Sequence, residues 1–156
     1  MKVDIGCGRN KAPGFVGLDI GAYEGVDIIC DVRQGIPLPD KSVDELRAIN
    51  MLEHLHEVQV LLDEIVRVCK PGAPIFFQVP DVQHERFHMP MHCQPWSRHW
   101  WKHHASGYFD VLSIVEIPDP AGLAVARKYI PTITDEDAML LLWNCRFELH
   151  IFCRAR

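Results

Sequence analysis

"VDIGCGRNKAPGFVGLDI", Val3 to Ile20, decides how the rest of the chain is read. Two short apolar runs flank a glycine turn, the pattern of strand, tight loop and second strand in a nucleotide-binding fold. A dinucleotide loop carries G-x-G-x-x-G at the start of a full helix, because pyrophosphate docks on that helix's N-terminal amides. Here Gly6 and Gly8 are in place, but Lys11 stands at the third glycine position, and only "RNKAPG" separates Gly8 from the next apolar run. A parallel crossover normally takes a dozen or more residues. The crossover helix is therefore cut to a turn at most, and a nicotinamide-dependent oxidoreductase is disfavoured.

Further apolar runs read as strands: "VDIIC", "VDELRAI" and "PIFFQV", then "VLSIVEI" and "FELHIFC". Between "VDELRAI" and "PIFFQV", Val58, Leu61, Leu62, Ile65, Val66 and Cys69 recur at helical spacing, with Asp63, Glu64 and Arg67 on the other side. "KPG" follows, with Gly72 suited to a left-handed cap. "AGLAVARKYI" and "TDEDAMLLLWN" also read as helices, the second with Thr134 as N-cap. Alternating strands and helices indicate a mainly parallel sheet, whose ligands sit at the carboxyl ends of the strands where strand order reverses.

At 156 residues the chain fits one domain. Apolar residues make up 48% and charged ones 24%, an ordinary globular balance, and no apolar run approaches a membrane span. A cytoplasmic location and no membrane partner are expected. The six cysteines form no CxxC pair and suit a reducing compartment. A net charge of -5 argues against a whole-domain nucleic-acid footprint.

A ligand that needs close backbone approach without a phosphate tolerates the short glycine loop. S-adenosylmethionine is one, with cationic sulfonium and amino groups, and carboxylates after successive strands serve it: Asp4 in the first, Asp19 ending the second, Asp31 ending the third. "DIGCGRN", "VGLDI", "CDVRQGIPLPDKSVDELRAINMLEHL" and "DEIVRVCKPGAPIFFQVPD" resemble, in that order, the successive motifs of class I S-adenosylmethionine-dependent methyltransferases, and most of all a compact subgroup with a shortened first crossover. The resemblance implies a Rossmann-like α/β fold, a mainly parallel central sheet with an antiparallel C-terminal strand and helices on both faces. It implies one domain over residues 1–156, with a cofactor-binding half at 1–81 and a substrate-side half at 82–156.

Carried over by position, the resemblance puts Asp4, Gly6 and Gly8 around the methionine part of S-adenosyl-L-methionine. Asp19, with Ile20 beside it, would take the ribose hydroxyls; Asp31 and Val32 would meet the adenine; Asn50 and Met51 would line the cofactor near its methyl group. Asn10 departs from the last glycine of the usual loop, and Ala73 from the usual "KPGG".

Methyl transfer is a displacement that needs alignment and exclusion of water, and a general base only when the acceptor holds a proton. His54, His84 and His88 are the candidates, since histidine titrates in the useful range. Some RNA 2'-hydroxyl and quinone O-methyltransferases hold a divalent metal on a Glu-x-x-Glu-His version of "NMLEHL". Here Asn50 replaces the first acid, leaving Glu53 and His54 with His84 or His88, and no metal is expected. "WSRHWWKHH" has the residues of a nucleic-acid platform, but reads better as an amphipathic helix burying Trp96, Trp100 or Trp101 and exposing Arg98, Lys102 and His103.

The acceptor is unidentified, with a small molecule favoured over RNA. The first strand opens at Lys2 with nothing before it to cap the acceptor, so a homodimer or a partner chain is expected to complete an open pocket. The rival is a non-catalytic cofactor-binding or interaction module of the same fold.

Overall fold

The computed structural model describes residues 1–82, 89–130, 132, 134, 135 and 146–156. Its centre is a seven-stranded sheet of order β3-β2-β1-β4-β5-β7-β6. The strands are β1 (Lys2–Ile5), β2 (Val16–Asp19), β3 (Ile28–Ile29), β4 (Glu45–Ile49), β5 (Pro74–Pro80), β6 (Phe109–Pro118) and β7 (Arg146–Ala155). Pairs among the first five strands are parallel, and β7 runs antiparallel to both neighbours. This is the expected sheet with one reversed C-terminal strand. The chain moves outward from β1 through β2 to β3, then returns to β1's other side as β4, so the reversal point lies between β1 and β4.

Strands β3 and β4 are shorter than their apolar runs, while β5, β6 and β7 extend beyond theirs. "VDIIC" gives only Ile28–Ile29, because Asp27 turns a carboxylate oxygen to Lys11 Nζ and Gly17 N, both at 2.7 Å, and Cys30 leads into the next loop. No helix links β1 to β2.

Helix α1 (Val58–Val68) has the anticipated face: Val58, Leu61, Leu62, Ile65 and Val68 are buried. Each such side chain contributes roughly 1.5–3 kcal/mol of burial. Gly72 does not cap it. The helix ends at an extended Cys69, because the next residues run alongside Val43, with Val43 N donating to Val68 O and Lys70 N to Val43 O; Gly72 (φ +80) serves the later turn into β5. The polar side of α1 is a clamp rather than a solvated face. Arg67 donates to both carboxylate oxygens of Glu64, to Asp40, and to the Leu38 and Ile36 carbonyls, while Glu64 Oε2 accepts from Ile36 N. Five directed bonds from one planar fork hold the loop that follows Asp31.

The tryptophan run is core. Trp96 and Trp101 are fully buried, Trp101 packs on Phe77 with ring centroids 5.0 Å apart, and Phe109 closes the cluster. Helix α2 (Arg98–His103) begins where Ser97 Oγ accepts from Trp100 N, and Arg98, Lys102 and His103 face outward. "AGLAVARKYI" forms most of α3 (Pro120–Tyr129). The helix expected over "TDEDAMLLLWN" falls largely on 136–145, outside the described residues. No helix among the described residues is long and apolar enough to cross a membrane.

Candidate functional site

At the carboxyl end of β1 the chain turns at Gly6, whose φ of +66 and whose crowding by Met51 leave no room for a side chain: a Cβ there would lie 2.3 Å from Met51 Cγ. Several of the loop's amides have acceptors within the chain. Gly6 N donates to Leu18 O, Gly8 N to Asp19 Oδ2 at 2.8 Å, Asn10 N to Cys7 O, and Ala12 N to Asp4 Oδ2 at 2.9 Å. Asp4 is buried beneath the loop, and burial raises its pKa despite the Ala12 amide and the Arg47 guanidinium, an ion pair at 3.2 Å. Lys11, in the third glycine's position, pairs with Asp27.

Asp19 gives one oxygen to Gly8 N and the other to Gly21 N at 2.9 Å, so it joins the glycine loop to the chain leaving β2. Asp31 caps the short helical turn Val32–Gln34 and is gripped side-on by Arg33, with Nε and Nη2 at 2.8 and 2.7 Å. Those bonds hold its carboxyl down at about 2. Asn50, ending β4, takes a left-handed φ of +49 while its amide donates to Gln78 O, backbone strain of the kind functional sites retain.

These elements enclose a cavity of about 450 Å³ lined by Gly6, Asp19, Ile20, Tyr23, Cys30, Asp31, Val32, Arg33, Asn50, Met51, His54 and Leu55. Seven of the nine expected cofactor residues line it: Gly6, Asp19, Ile20, Asp31, Val32, Asn50 and Met51. Asp4 and Gly8 do not, because their polar groups face into the loop and hold its shape. Tyr23, Cys30, Arg33 and Leu55 went unanticipated; only Arg33 left a signal, as a cation two residues after Asp31.

A second cavity of about 270 Å³ adjoins the first and shares Asn50 and His54 with it. Its other walls are Glu53, Pro80, Met89, Met91, His92 and Glu148. Glu53 is 2% exposed, and burial, with Glu148 repelling it, pushes its carboxyl up to about 7. His54 Nδ1–H donates to Met91 O at 3.3 Å in the tautomer that leaves Nε2 open. Of the three expected base candidates, only His54 is placed, on the wall between the cavities; His84 and His88 lie outside the described residues. Glu53, His92 and Glu148 come from three distant segments, which no local motif could join.

Residues 10–77 match the family profile of a methyltransferase domain. A S-adenosylmethionine-dependent methyltransferase from Archaeoglobus fulgidus is 22% identical, with a TM-score of 0.71 over 98% of this chain and 85% of that one. A chain from the complex of the Haloferax volcanii Trm112 methyltransferase activator with a candidate methyltransferase is 20% identical, TM-score 0.66, over 99% and 81%. Geranyl diphosphate C-methyltransferase from Streptomyces coelicolor, solved with Mg²⁺, geranyl diphosphate and S-adenosyl-L-homocysteine, is 16% identical, TM-score 0.67, over 99% and 71%. At these identities the structural likeness is one of fold. Domain match and sheet order together give the chain the class I S-adenosylmethionine-dependent methyltransferase fold.

Proposed function

We propose that this chain, which has the class I methyltransferase fold and matches a methyltransferase domain over residues 10–77, binds S-adenosylmethionine in the 450 Å³ cavity and methylates a small acceptor entering through the 270 Å³ one. One observation carries the reading: the cavity at the strand-reversal point has two carboxylates, Asp19 and Asp31, while two of the glycine loop's amides, Gly8 N and Ala12 N, are already bonded to Asp19 and Asp4. That donor set suits a neutral ribose and a cationic tail rather than a pyrophosphate.

In this reading Asp19, which still has lone pairs beyond its two amide bonds, accepts from the ribose hydroxyls, and Asp31 with Val32 meets the adenine. Gly6 lets the backbone approach, and Met51 and Leu55 exclude water. The cofactor supplies a methyl carbon activated by its sulfonium. The protein supplies alignment, which accounts for most of the barrier reduction such a displacement needs. His54, at the shared wall, is placed to hold an acceptor's proton when the acceptor has one.

Apolar side chains stand exposed in the lining of both cavities: Ile20 is 64% and Met91 59% exposed, and Tyr23 and Met89 are exposed as well. This supports completion of the pocket by a second copy or a partner chain, as the Haloferax chain of the same fold is found with an activator.

Asp19→Asn tests the cofactor assignment better than Asp19→Ala, because its one amide oxygen keeps one of the two backbone bonds, from Gly8 N or Gly21 N, whereas alanine releases both. Loss of a charged acceptor costs about 1.5–3 kcal/mol, roughly a tenfold to hundredfold rise in the Kd for S-adenosylhomocysteine by calorimetry. Unaltered affinity in a folded variant removes Asp19 from the site. Turnover of S-adenosylmethionine with a defined acceptor separates the enzyme from a module that only binds.

A further inference from the structure

We infer that the second cavity is a divalent-cation site formed by Glu53, His54 and His92, with Glu148 facing it, and that it takes a transition-series ion of the Zn²⁺ class. One ligand atom from each of Glu53, His54 and His92 lies within 4.8 Å of the other two. Ligands about 2.1 Å from a shared tetrahedral ion stand about 3.4 Å apart, so side-chain shifts on the order of 1 Å close the set.

The buried carboxylate is the independent observation. Glu53 is 2% exposed and lines the cavity, and among the described residues its Oε2 has no hydrogen-bond partner. A carboxylate taken out of water without a partner is costly, and proteins offset that cost with a proton, an opposite charge or a metal. The other carboxylate in the wall is Glu148, of the same sign, only 8% exposed and itself in contact with His150 Nε2 at 3.3 Å. Two carboxylates and two imidazoles facing 270 Å³ are the donor set of a cation.

The scaffold around them is fixed. Glu53 and His54 sit on one short helical turn, Leu52–His54, and the segment carrying His92 is stapled to that turn by Cys93 N donating to Glu53 O at 2.6 Å. His54 Nδ1–H on the Met91 carbonyl orients the ring and leaves Nε2 as the ligand nitrogen, the arrangement that outer-shell carbonyls give metal-bound histidines. The His54 and His92 rings meet edge to face with centroids 4.9 Å apart. Imidazole nitrogen favours zinc-class ions over Mg²⁺ or Ca²⁺, which prefer all-oxygen shells.

Local sequence offers no reason to expect a metal, since Asn50 stands where the first acid of the Glu-x-x-Glu-His pattern belongs. The fold brings a second carboxylate from elsewhere, Glu148 on β7. An ion there would adjoin the cofactor cavity through Asn50 and His54 and would polarise an oxygen acceptor; this last step alone rests on the proposed methyl transfer, and with an ion bound His54 is a ligand and not a base.

The test is calorimetric titration of the chelator-treated full chain with ZnCl₂, and separately MgCl₂, without cofactor. The expected result is one Zn²⁺ per chain at micromolar Kd or tighter, at least about hundredfold tighter than Mg²⁺. Glu53→Gln and His92→Ala each weaken Zn²⁺ at least about tenfold, while His56→Ala does not. A wild type with no such equivalent, or a Glu53→Gln protein that keeps its affinity through surface imidazoles, overturns the inference. If Glu53→Gln does not fold by circular dichroism, His92→Ala decides the question on the same criterion. S-adenosylhomocysteine binding without zinc binding refutes this site alone; zinc binding without S-adenosylhomocysteine binding refutes the proposed function alone.

Discussion

Asp4 offers a separation of structural from ligand roles at the heart of the glycine loop. Its side chain is 2% exposed, accepts from Ala12 N and faces Arg47, which is 27% exposed. Asp4→Ala leaves the buried Ala12 amide without an acceptor and Arg47 without a partner. A hydrogen bond to a charged group contributes about 1.5–3 kcal/mol, and the partly solvated guanidinium adds under about 1 kcal/mol, giving a loss of roughly 2–4 kcal/mol. Asp4→Asn keeps an oxygen for Ala12, while its amide NH2 replaces the oxygen that faces Arg47, so the charge and that partly solvated ion pair are lost. Because burial raises the Asp4 pKa, folding favours the neutral form relative to the unfolded chain, so the asparagine variant is expected within about 1 kcal/mol of wild type at pH 7.

The direction of that shift fixes a pH dependence. A carboxyl whose folded pKa lies above the unfolded value of 3.8 contributes its full stability below that value and loses it as pH rises through the folded pKa. Wild type therefore gains from Asp4 as pH falls through the folded pKa towards the unfolded value, and Asp4→Asn lacks that slope. Urea denaturation of the three proteins at pH 7 and in steps down to about pH 4 measures both effects. The reasoning is refuted if Asp4→Ala lies within about 0.5 kcal/mol of wild type, or if asparagine is as damaging as alanine. A folded Asp4→Asn protein with weakened S-adenosylhomocysteine binding would return Asp4 to the ligand's immediate neighbours.

Gly6→Ala is expected to cost about 2–4 kcal/mol, combining a left-handed φ with a Cβ 2.3 Å from Met51 Cγ, and to lower S-adenosylhomocysteine affinity more than about tenfold by pushing Met51 into the cavity; unaltered affinity by calorimetry would contradict the packing. Arg67→Lys exchanges a five-bond fork for a point charge, with an expected loss of about 1–2 kcal/mol and faster hydrogen exchange at Ile36 N; unchanged exchange there would mean that the clamp does not hold the loop.

The half of the molecule built from local patterns was legible in the sequence. Apolar runs bounded by turn residues marked all seven strands, and helical spacing marked α1 nearly to its ends, because burial of one face dictates both. What escaped was decided by partners far apart in the chain. Glu64 and Arg67 read only as the polar side of the helix, yet they bind residues 36 to 40, whose position follows from the turn after Asp31. Gly72 looked like a helix cap, yet Cys69 instead pairs with Val43. The second cavity was the least legible, since Glu53, His92 and Glu148 meet only once β7 inserts between β5 and β6 and Cys93 is bonded to Glu53.

The short first crossover bears directly on ligand chemistry. A full helix after β1 would begin with several unsatisfied amides pointing at the cavity, a standing positive pole that attracts phosphate. With the helix gone, amides still have to be satisfied, and the loop recruits carboxylates to do it: Asp4 takes Ala12 N and Asp19 takes Gly8 N. Shortening therefore does more than remove a positive pole; it requires negative charge at the same rim, one member of which lines the cavity. Lys11 does not reverse this, because its ammonium is turned to Asp27, 2.7 Å away. The loop that looked deficient as a phosphate cradle is, once its amides are traced to their acceptors, a coherent wall for a cationic ligand. The left-handed Asn50 across from it lines both cavities, and in the proposed function it stands where that ligand's reactive end meets the second one.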